Sequence, residues 1–268
     1  MNITVLAENT TSDKSLGCEH GLSLYIETDD HKILFDTGAS DLFIKNAKKM
    51  GISLKEIDCV VISHGHYDHG GGIEAFLDAN QKASIYLNQN AFGGYYASGE
   101  EGFEYIGLNH SMLPNDRFIF VGEEMVIDKN LRIFSGVAGD TLFPPTNAKL
   151  LKKNGADYEP DDFAHEQNLI ITEKNKTALF TGCAHNGIVN ILEAYTSLSG
   201  HSAPDYVFGG FHLDQVEDEM IQKIAVALLK TTTHYFTGHC TGLDSYHSLK
   251  AVLDERIAYL ATGIQMTI

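Results

Sequence analysis

The chain has 268 residues, 43% of them hydrophobic, with 36 acidic side chains against 19 basic ones and a formal net charge of -17. That length and apolar content support one sizeable core in a single α/β domain. The acidity argues against nucleic-acid binding, which draws on Lys and Arg contacts to phosphates, and no run approaches the roughly 18 apolar residues of a membrane-spanning helix.

Residues 2–7, 21–28 and 32–36 read as strands, with Asp29-Asp30-His31 turning the last two into a hairpin. No basic, apolar leader precedes the first strand, which predicts a cytoplasmic protein. Ser40 is the expected N-cap of a helix over 41–50, which Gly51 ends. A buried strand leads up to Ser63, a helix follows over 73–80, and a strand covers 83–87. Residues 90–116 are rich in glycine and aromatic side chains and lack a clear period. They read as a long loop, a lid as readily as a packed insert. In a lid, Tyr95, Tyr96, Phe103 and Tyr105 would stack on a planar ligand. Strands resume at 117–121, 125–127 and 131–135, and a second irregular region covers 136–159. A hairpin over 168–172 and 177–181 turns at Lys174-Asn175-Lys176. Helices over 187–198, 217–230 and 244–255 then alternate with strands over 206–208, 234–237 and 257–262. No linker, low-complexity run or repeat interrupts the chain. One domain is therefore expected over 1–268, with irregular insertions at about 90–116 and 136–159.

The most informative stretch is Ser63-His64-Gly65-His66-Tyr67-Asp68-His69-Gly70-Gly71-Gly72. His64 and His66 are two apart, which puts both imidazoles on one side of an extended segment. Asp68 and His69 follow at a bend. Three imidazoles and a carboxylate are the donors that a zinc-class metal takes. The glycines are expected to let the backbone pass close to an ion and to open the helix over 73–80. Incidental histidines in a polar loop rarely give so dense an array.

This H-x-H-x-D-H array resembles the signature of the metallo-β-lactamase superfamily. Phe35-Asp36-Thr37-Gly38 is similar to that family's second-strand element, whose aspartate supports the metal loop. The segments Glu19-His20-Gly21-Leu22-Ser23, Leu179-Phe180-Thr181-Gly182-Cys183-Ala184-His185, Gly209-Gly210-Phe211-His212-Leu213 and Thr237-Gly238-His239-Cys240-Thr241-Gly242 resemble one branch in particular. It holds the archaeal dihydropterin-6-methyl-(ribofuranosyl)aminobenzene 5′-phosphate synthases and their bacterial relatives. The resemblance implies a four-layer αββα sandwich with a metal site at one edge, between the sheets. It also implies one metal on His64, His66 and His185 and another on Asp68, His69 and His239.

The middle of the chain departs from the commoner pattern. Hydrolases of the superfamily usually carry a histidine before the hairpin and a bridging aspartate after it. Here His165 precedes the hairpin, and Cys183 stands where the aspartate would fall. His185 is preferred to His165 because its surroundings match the branch and it sits at a strand–helix turn. Cys183 reads equally as a bridging thiolate or as a small buried residue beneath the site. One or two divalent ions are therefore expected, zinc first, with manganese, iron or magnesium as alternatives. His212 follows two glycines after a strand, and substrate contact or proton transfer is its preferred role. Asp36 is expected to orient a ligand. Glu19 and His20 belong to the same end by resemblance, or to a solvated turn. His31, His110, His201, His234 and His247 read as ordinary surface or core histidines. The four cysteines include no C-x-x-C pair and should be reduced thiols.

The first functional expectation is a hydrolase using metal-bound hydroxide on a small ester, thioester, lactone or phosphoester, with Asp68 or His212 managing protons. The branch resemblance implies an alternative, a transferase in which metal assists the departure of pyrophosphate from a dihydropterin methyl diphosphate. A non-catalytic metal-dependent sensor is the third. The acidity is compatible with a small anionic substrate, because a metal would dominate the local field. Lys149, Lys152 and Lys153 are the cations placed to help bind it. His66 where a glutamate would stand, and the lack of a flavodoxin-like domain, argue against an oxygen-reducing di-iron flavoprotein.

Overall fold

The computed structural model describes residues 1–11, 13–200 and 203–268, so His201 lies outside the described residues. The strands begin with β1 (Asn2–Ala7), β2 (Ser23–Glu27), β3 (Lys32–Phe35), β4 (Cys59–Val61), β5 (Ser84–Asn88), β6 (Tyr95–Gly99) and β7 (Gly102–Tyr105). They continue with β8 (Phe118–Val121), β9 (Glu124–Val126), β10 (Leu131–Ser135), β11 (Leu150–Asn154), β12 (Asp157–Pro160), β13 (Gln167–Glu173) and β14 (Lys176–Phe180). The last four are β15 (Tyr206–Gly209), β16 (His234–Thr237), β17 (Ile257–Tyr259) and β18 (Gln265–Thr267). The α-helices are α1 (Leu42–Lys49), α2 (Tyr67–Gly70), α3 (Ile73–Ala79), α4 (Ile188–Ser199), α5 (Asp218–Leu229) and α6 (Leu243–Leu253).

Two seven-stranded sheets form, in the orders β18-β1-β2-β3-β4-β5-β8 and β17-β16-β15-β14-β13-β10-β9. Successive side chains of a strand point to opposite faces, and the sequence uses both. In β3, Ile33 and Phe35 enter the core between the sheets, while Leu34 packs outside with Phe43 of α1 and Phe76 of α3. In β14, Ala178 and Phe180 face inward, and Leu179 faces Ile191 of α4 and Ile224 of α5. The layers are therefore helix, sheet, sheet, helix. This is the αββα sandwich anticipated from the resemblance. Phe180, Phe208 and Phe236 stack across the second sheet, with centroids 4.9 and 4.7 Å apart in succession. Phe180 and Phe208 are fully buried, and each contributes on the order of 1.5–3 kcal/mol.

Strands β3, β4, β5 and β8 run parallel, as do β14, β15, β16 and β17. Their carboxyl ends meet at one edge of the sandwich. The loops that leave β3, β4, β14, β15 and β16 there carry Asp36, His64, Cys183, His212 and His239.

Three expectations are corrected. The two stretches read as irregular both contain hairpins, β6–β7 and β11–β12. They join into a third sheet of four strands, β12-β11-β6-β7, in which Leu151 pairs with Tyr96. That pairing is between segments far apart in sequence, so no local period announces it. The N-cap of α1 is Asp41. Ser40, one residue earlier, accepts from the Leu42 N–H at 3.1 Å and donates to Glu19 Oε2 at 2.5 Å. The expected last strand ends at Tyr259, and the chain returns as β18 to pair antiparallel with β1.

Candidate metal centre

The loop after β4 is still extended when it reaches His66, the N-cap of α2 (φ -96°, ψ 150°). The short helix then wraps Asp68 and His69 back toward His64. Of the glycines that follow, Gly72 is the N-cap of α3, as expected, and packing also requires them. A Cβ on Gly71 would meet the Tyr67 and Ala39 carbonyl oxygens at 2.4 and 2.5 Å, and one on Gly72 the Thr37 oxygen at 2.4 Å.

Four of the imidazoles, those of His64, His69, His185 and His239, are each held by one nitrogen. His69 Nδ1 meets Asp36 Oδ2 at 2.6 Å. Ser63 Oγ donates to that same oxygen at 2.7 Å, so toward His64 Nδ1, 2.9 Å away, it can only accept. His185 Nδ1 donates to Asn147 Oδ1 at 3.0 Å, and the Asn147 amide is oriented by its own bond to the His185 carbonyl at 2.7 Å. His239 Nδ1 donates to Asn9 Oδ1 at 2.8 Å, an oxygen that also accepts the Gly21 N–H at 3.2 Å. All four rings thus carry their proton on Nδ1 and turn a bare Nε2 inward, the orientation that metal-binding histidines are given by such partners.

The result is a knot of acceptors. His69 Nε2 lies 3.1 Å from His239 Nε2, and Asp68 Oδ2 lies 3.2 Å from His239 Nε2. Cys183 Sγ is 3.1 Å from His69 Nε2. Facing lone pairs repel unless a proton or a cation stands between them. Beside this group, His64 Nε2, His66 Nε2 and His185 Nε2 are buried with no hydrogen-bond partner among the described residues. Such orphaned groups are rare and costly in a folded chain. The rings of these three histidines lie 4.6 to 5.1 Å apart. Donor atoms of Asp68, His69, Cys183 and His239 converge within 4.8 Å, as do those of His64, Cys183 and His185. Cys183 is common to both groups.

Burial, with the neighbouring imidazoles, holds His64 and His185 well below the usual histidine range and pushes His66 down to about 3. At neutral pH these rings are neutral, which is the ligand form. His165 differs. Its Nδ1 accepts the Gly65 N–H at 2.9 Å and its Nε2 meets buried Asp161 at 3.1 Å, so both nitrogens are engaged by protein. It stands behind His66, its ring tilted 36° to that of Tyr95 with centroids 3.9 Å apart. His20 lies at the mouth of the site, 3.3 Å from Asp68 Oδ2. His212 packs against His185 with ring centroids 4.3 Å apart. His31, His110, His234 and His247 lie elsewhere, against Asp128, Phe92, Tyr206 and Tyr246.

Above the centre is a cavity of about 430 Å³. The third sheet supplies one wall through Ala97, Ser98, Glu104 and Leu150, with Lys149 beside them, and Asp214 and Gln215 line another part. Lys152 is tied to Asp162 at 2.6 Å, and Lys153 sits over the Tyr158 ring.

Sequence reasoning missed the supporting groups. Glu8 is buried and accepts the His239 N–H at 2.5 Å and the Tyr259 hydroxyl at 3.0 Å. Glu166 accepts the His185 and Asn186 N–H groups at 2.6 and 3.0 Å. Asn9 and Asn147 set two tautomers. An acidic residue directly after an apolar strand, as Glu8 is after Leu6 and Ala7, was the available signal; nothing local marks Asn147.

The superfamily model for metallo-β-lactamases matches residues 16–239. The chain belongs to the metallo-β-lactamase superfamily. It is 28% identical to a 7,8-dihydropterin-6-methyl-4-(β-D-ribofuranosyl)-aminobenzene-5′-phosphate synthase of Methanocaldococcus jannaschii, over 98% of this chain and 95% of that protein. It is equally 28% identical to an uncharacterised protein of the same organism, over 92% and 93% of the two chains. A solved structure described as a metal-dependent hydrolase of the β-lactamase superfamily superposes with a TM-score of 0.85 at 30% identity, covering 100% of this chain and 99% of that one. Membership implies divalent metal binding, and the Nε2 atoms and the Asp68 carboxylate that converge beside the Cys183 thiol fit a cation.

Proposed function

We propose that the chain is a metal-dependent hydrolase of small molecules. His64, His66 and His185 would hold one divalent ion, Asp68, His69 and His239 a second, and Cys183 would bridge them as a thiolate. The observation that carries this reading is the convergence of inward-facing Nε2 atoms, three of them without a hydrogen-bond partner among the described residues. Ions held there supply Lewis acidity and an activated water. The chain's own groups do the rest. Asp36, Ser63, Asn9 and Asn147 fix the ring tautomers and keep the donors in place. Asp68 accepts a proton near the reacting bond, with His20 at 3.3 Å as its link to the cavity mouth. His212 faces the cavity from the loop after β15 and contacts substrate. A cavity of about 430 Å³ suits a small ester, thioester, lactone or phosphoester, and Lys149 on its wall favours one with an anionic group. Zinc is the ion this nitrogen- and sulfur-containing set favours. The free cysteines suit a reducing cytoplasm.

Elemental analysis of protein purified without chelator or affinity-tag metal is the test. Near two equivalents of zinc, manganese or iron, followed by turnover in an ester and phosphodiester screen, supports the reading. One equivalent or fewer, with activity only on adding Mg²⁺, favours a second reading: a synthase-like transferase that releases pyrophosphate. Similarity to the archaeal synthase along nearly the whole of both chains supports that alternative.

A further inference from the structure

Cys240 has no part in the reading above, yet it sits in the floor of the same cavity. Cys183 Sγ, one imidazole nitrogen of His212 and Cys240 Sγ lie within 4.8 Å of one another. The three come from the loops after the neighbouring parallel strands β14, β15 and β16. The sequence leaves space for the second sulfur: a Cβ on Gly210 would stand 2.4 Å from Cys240 Sγ. The His212 backbone N–H donates to that sulfur at 3.3 Å, and the Cys240 S–H faces the Cys183 carbonyl at 3.6 Å. Independently, His212 Nδ1 is buried without a hydrogen-bond partner among the described residues. A buried imidazole nitrogen without a hydrogen bond is costly, and a cation shared with the two sulfurs would satisfy it.

We propose that Cys183, His212 and Cys240 form a further metal position that takes one thiophilic cation, such as Zn²⁺, Cd²⁺ or Cu⁺. Two sulfurs and an imidazole are a soft donor set, and the cavity leaves a fourth direction open for water or a ligand. His212 can give one nitrogen to the ion and keep the other for the cavity. The position shares only Cys183 with the paired site proposed above. A soft ion bound here therefore competes for that sulfur and weakens the bridge, which would make occupancy of the pair sensitive to thiophilic metals.

Cadmium titration of the metal-stripped full chain tests this, read by the ultraviolet sulfur-to-cadmium charge-transfer band and by bound equivalents after gel filtration. Cys240→Ser is expected to lose one equivalent and part of the band. His212→Ala is expected to lose the same equivalent, which guards against a folding defect peculiar to the serine variant. Unchanged stoichiometry and band in Cys240→Ser, with native urea unfolding, overturns the proposal and leaves Cys240 a packing residue. His64→Ala with His66→Ala separates the two readings. In that background the Cys240-dependent equivalent should persist while the pair loses metal. Loss of the Cys240-dependent equivalent there counts against an independent position, and retention of all metal counts against the pair alone.

Discussion

Asp36 Oδ2 accepts from His69 Nδ1 at 2.6 Å and from Ser63 Oγ at 2.7 Å, with the Asp36 and His69 side chains both sealed from solvent. One carboxylate thus sets the tautomers of two histidines, since Ser63 passes the constraint on to His64. Asp36→Ala should weaken metal binding by roughly 10- to 100-fold, the usual cost of losing such a partner. Competition with a chelator of known affinity measures it. Affinity unchanged within twofold would remove Asp36 from the site.

His64→Ala with His66→Ala should strip most metal from the proposed pair while leaving the native fold and the Cys240-dependent position. The core between the sheets and both helix layers are built without these side chains. Circular dichroism and gel filtration of the double variant are the check. Unfolding during purification would show the metal to be structural instead.

The metal-free protein should lose stability as pH falls below neutrality. A histidine in the unfolded chain takes a proton near pH 6.5, whereas folded His66 does so only at about 3, and burial depresses His64 and His185 as well. Between those values the unfolded state binds more protons, so stability rises with pH and drops as acid is added. The slope is up to about 1.4 kcal/mol per pH unit for each such ring. Two histidines act the other way: His20, raised by its bond to Asp68, and His31, which burial lowers but Asp128 and Asp58 raise further. Urea midpoints of the stripped protein at pH 7 and pH 5 should show the lower value at pH 5. Equal midpoints would mean the three rings are not buried neutral.

Cys183→Ala should cost one ion of the proposed pair, because this sulfur belongs to both donor groups. Cys183→Asp should recover it in part, by supplying an oxygen where other superfamily hydrolases carry an aspartate. Metal counts in both variants equal to that of the unaltered protein would make Cys183 a packing residue. Burial pushes its thiol well above the ordinary range, so loading this site should also release a proton and tighten as pH rises.

Glu166→Ala should destabilise the protein by roughly 1–3 kcal/mol for buried donors left unpaired. The carboxylate accepts the N–H groups of His185 and Asn186 and the Asn186 amide at 2.7 Å. Urea unfolding of the metal-free variant reads this directly, apart from any effect on metal affinity.

The sequence by itself determined what depends on near neighbours. The run from Ser63 to Gly72 carries its chemistry in its spacing, and alternation in β3 and β14 divides each strand between two apolar layers. The apolar stripes of α4 and α5 are equally local. Tertiary structure decided the rest, because it depends on which loops meet. The hairpins of the third sheet pair with each other across a long gap in the chain, where glycines and aromatics hide the strand period. His165 and His185 are both histidines near the right place. Only the bonds from Gly65 and Asp161 to His165, against the bare Nε2 of His185, tell them apart. Glu8, Asn9, Asn147 and Glu166 matter through single hydrogen bonds to residues distant in sequence, and such bonds leave no periodic trace. Cys240 is likewise only the residue after His239 until folding sets its sulfur beside Cys183 and His212.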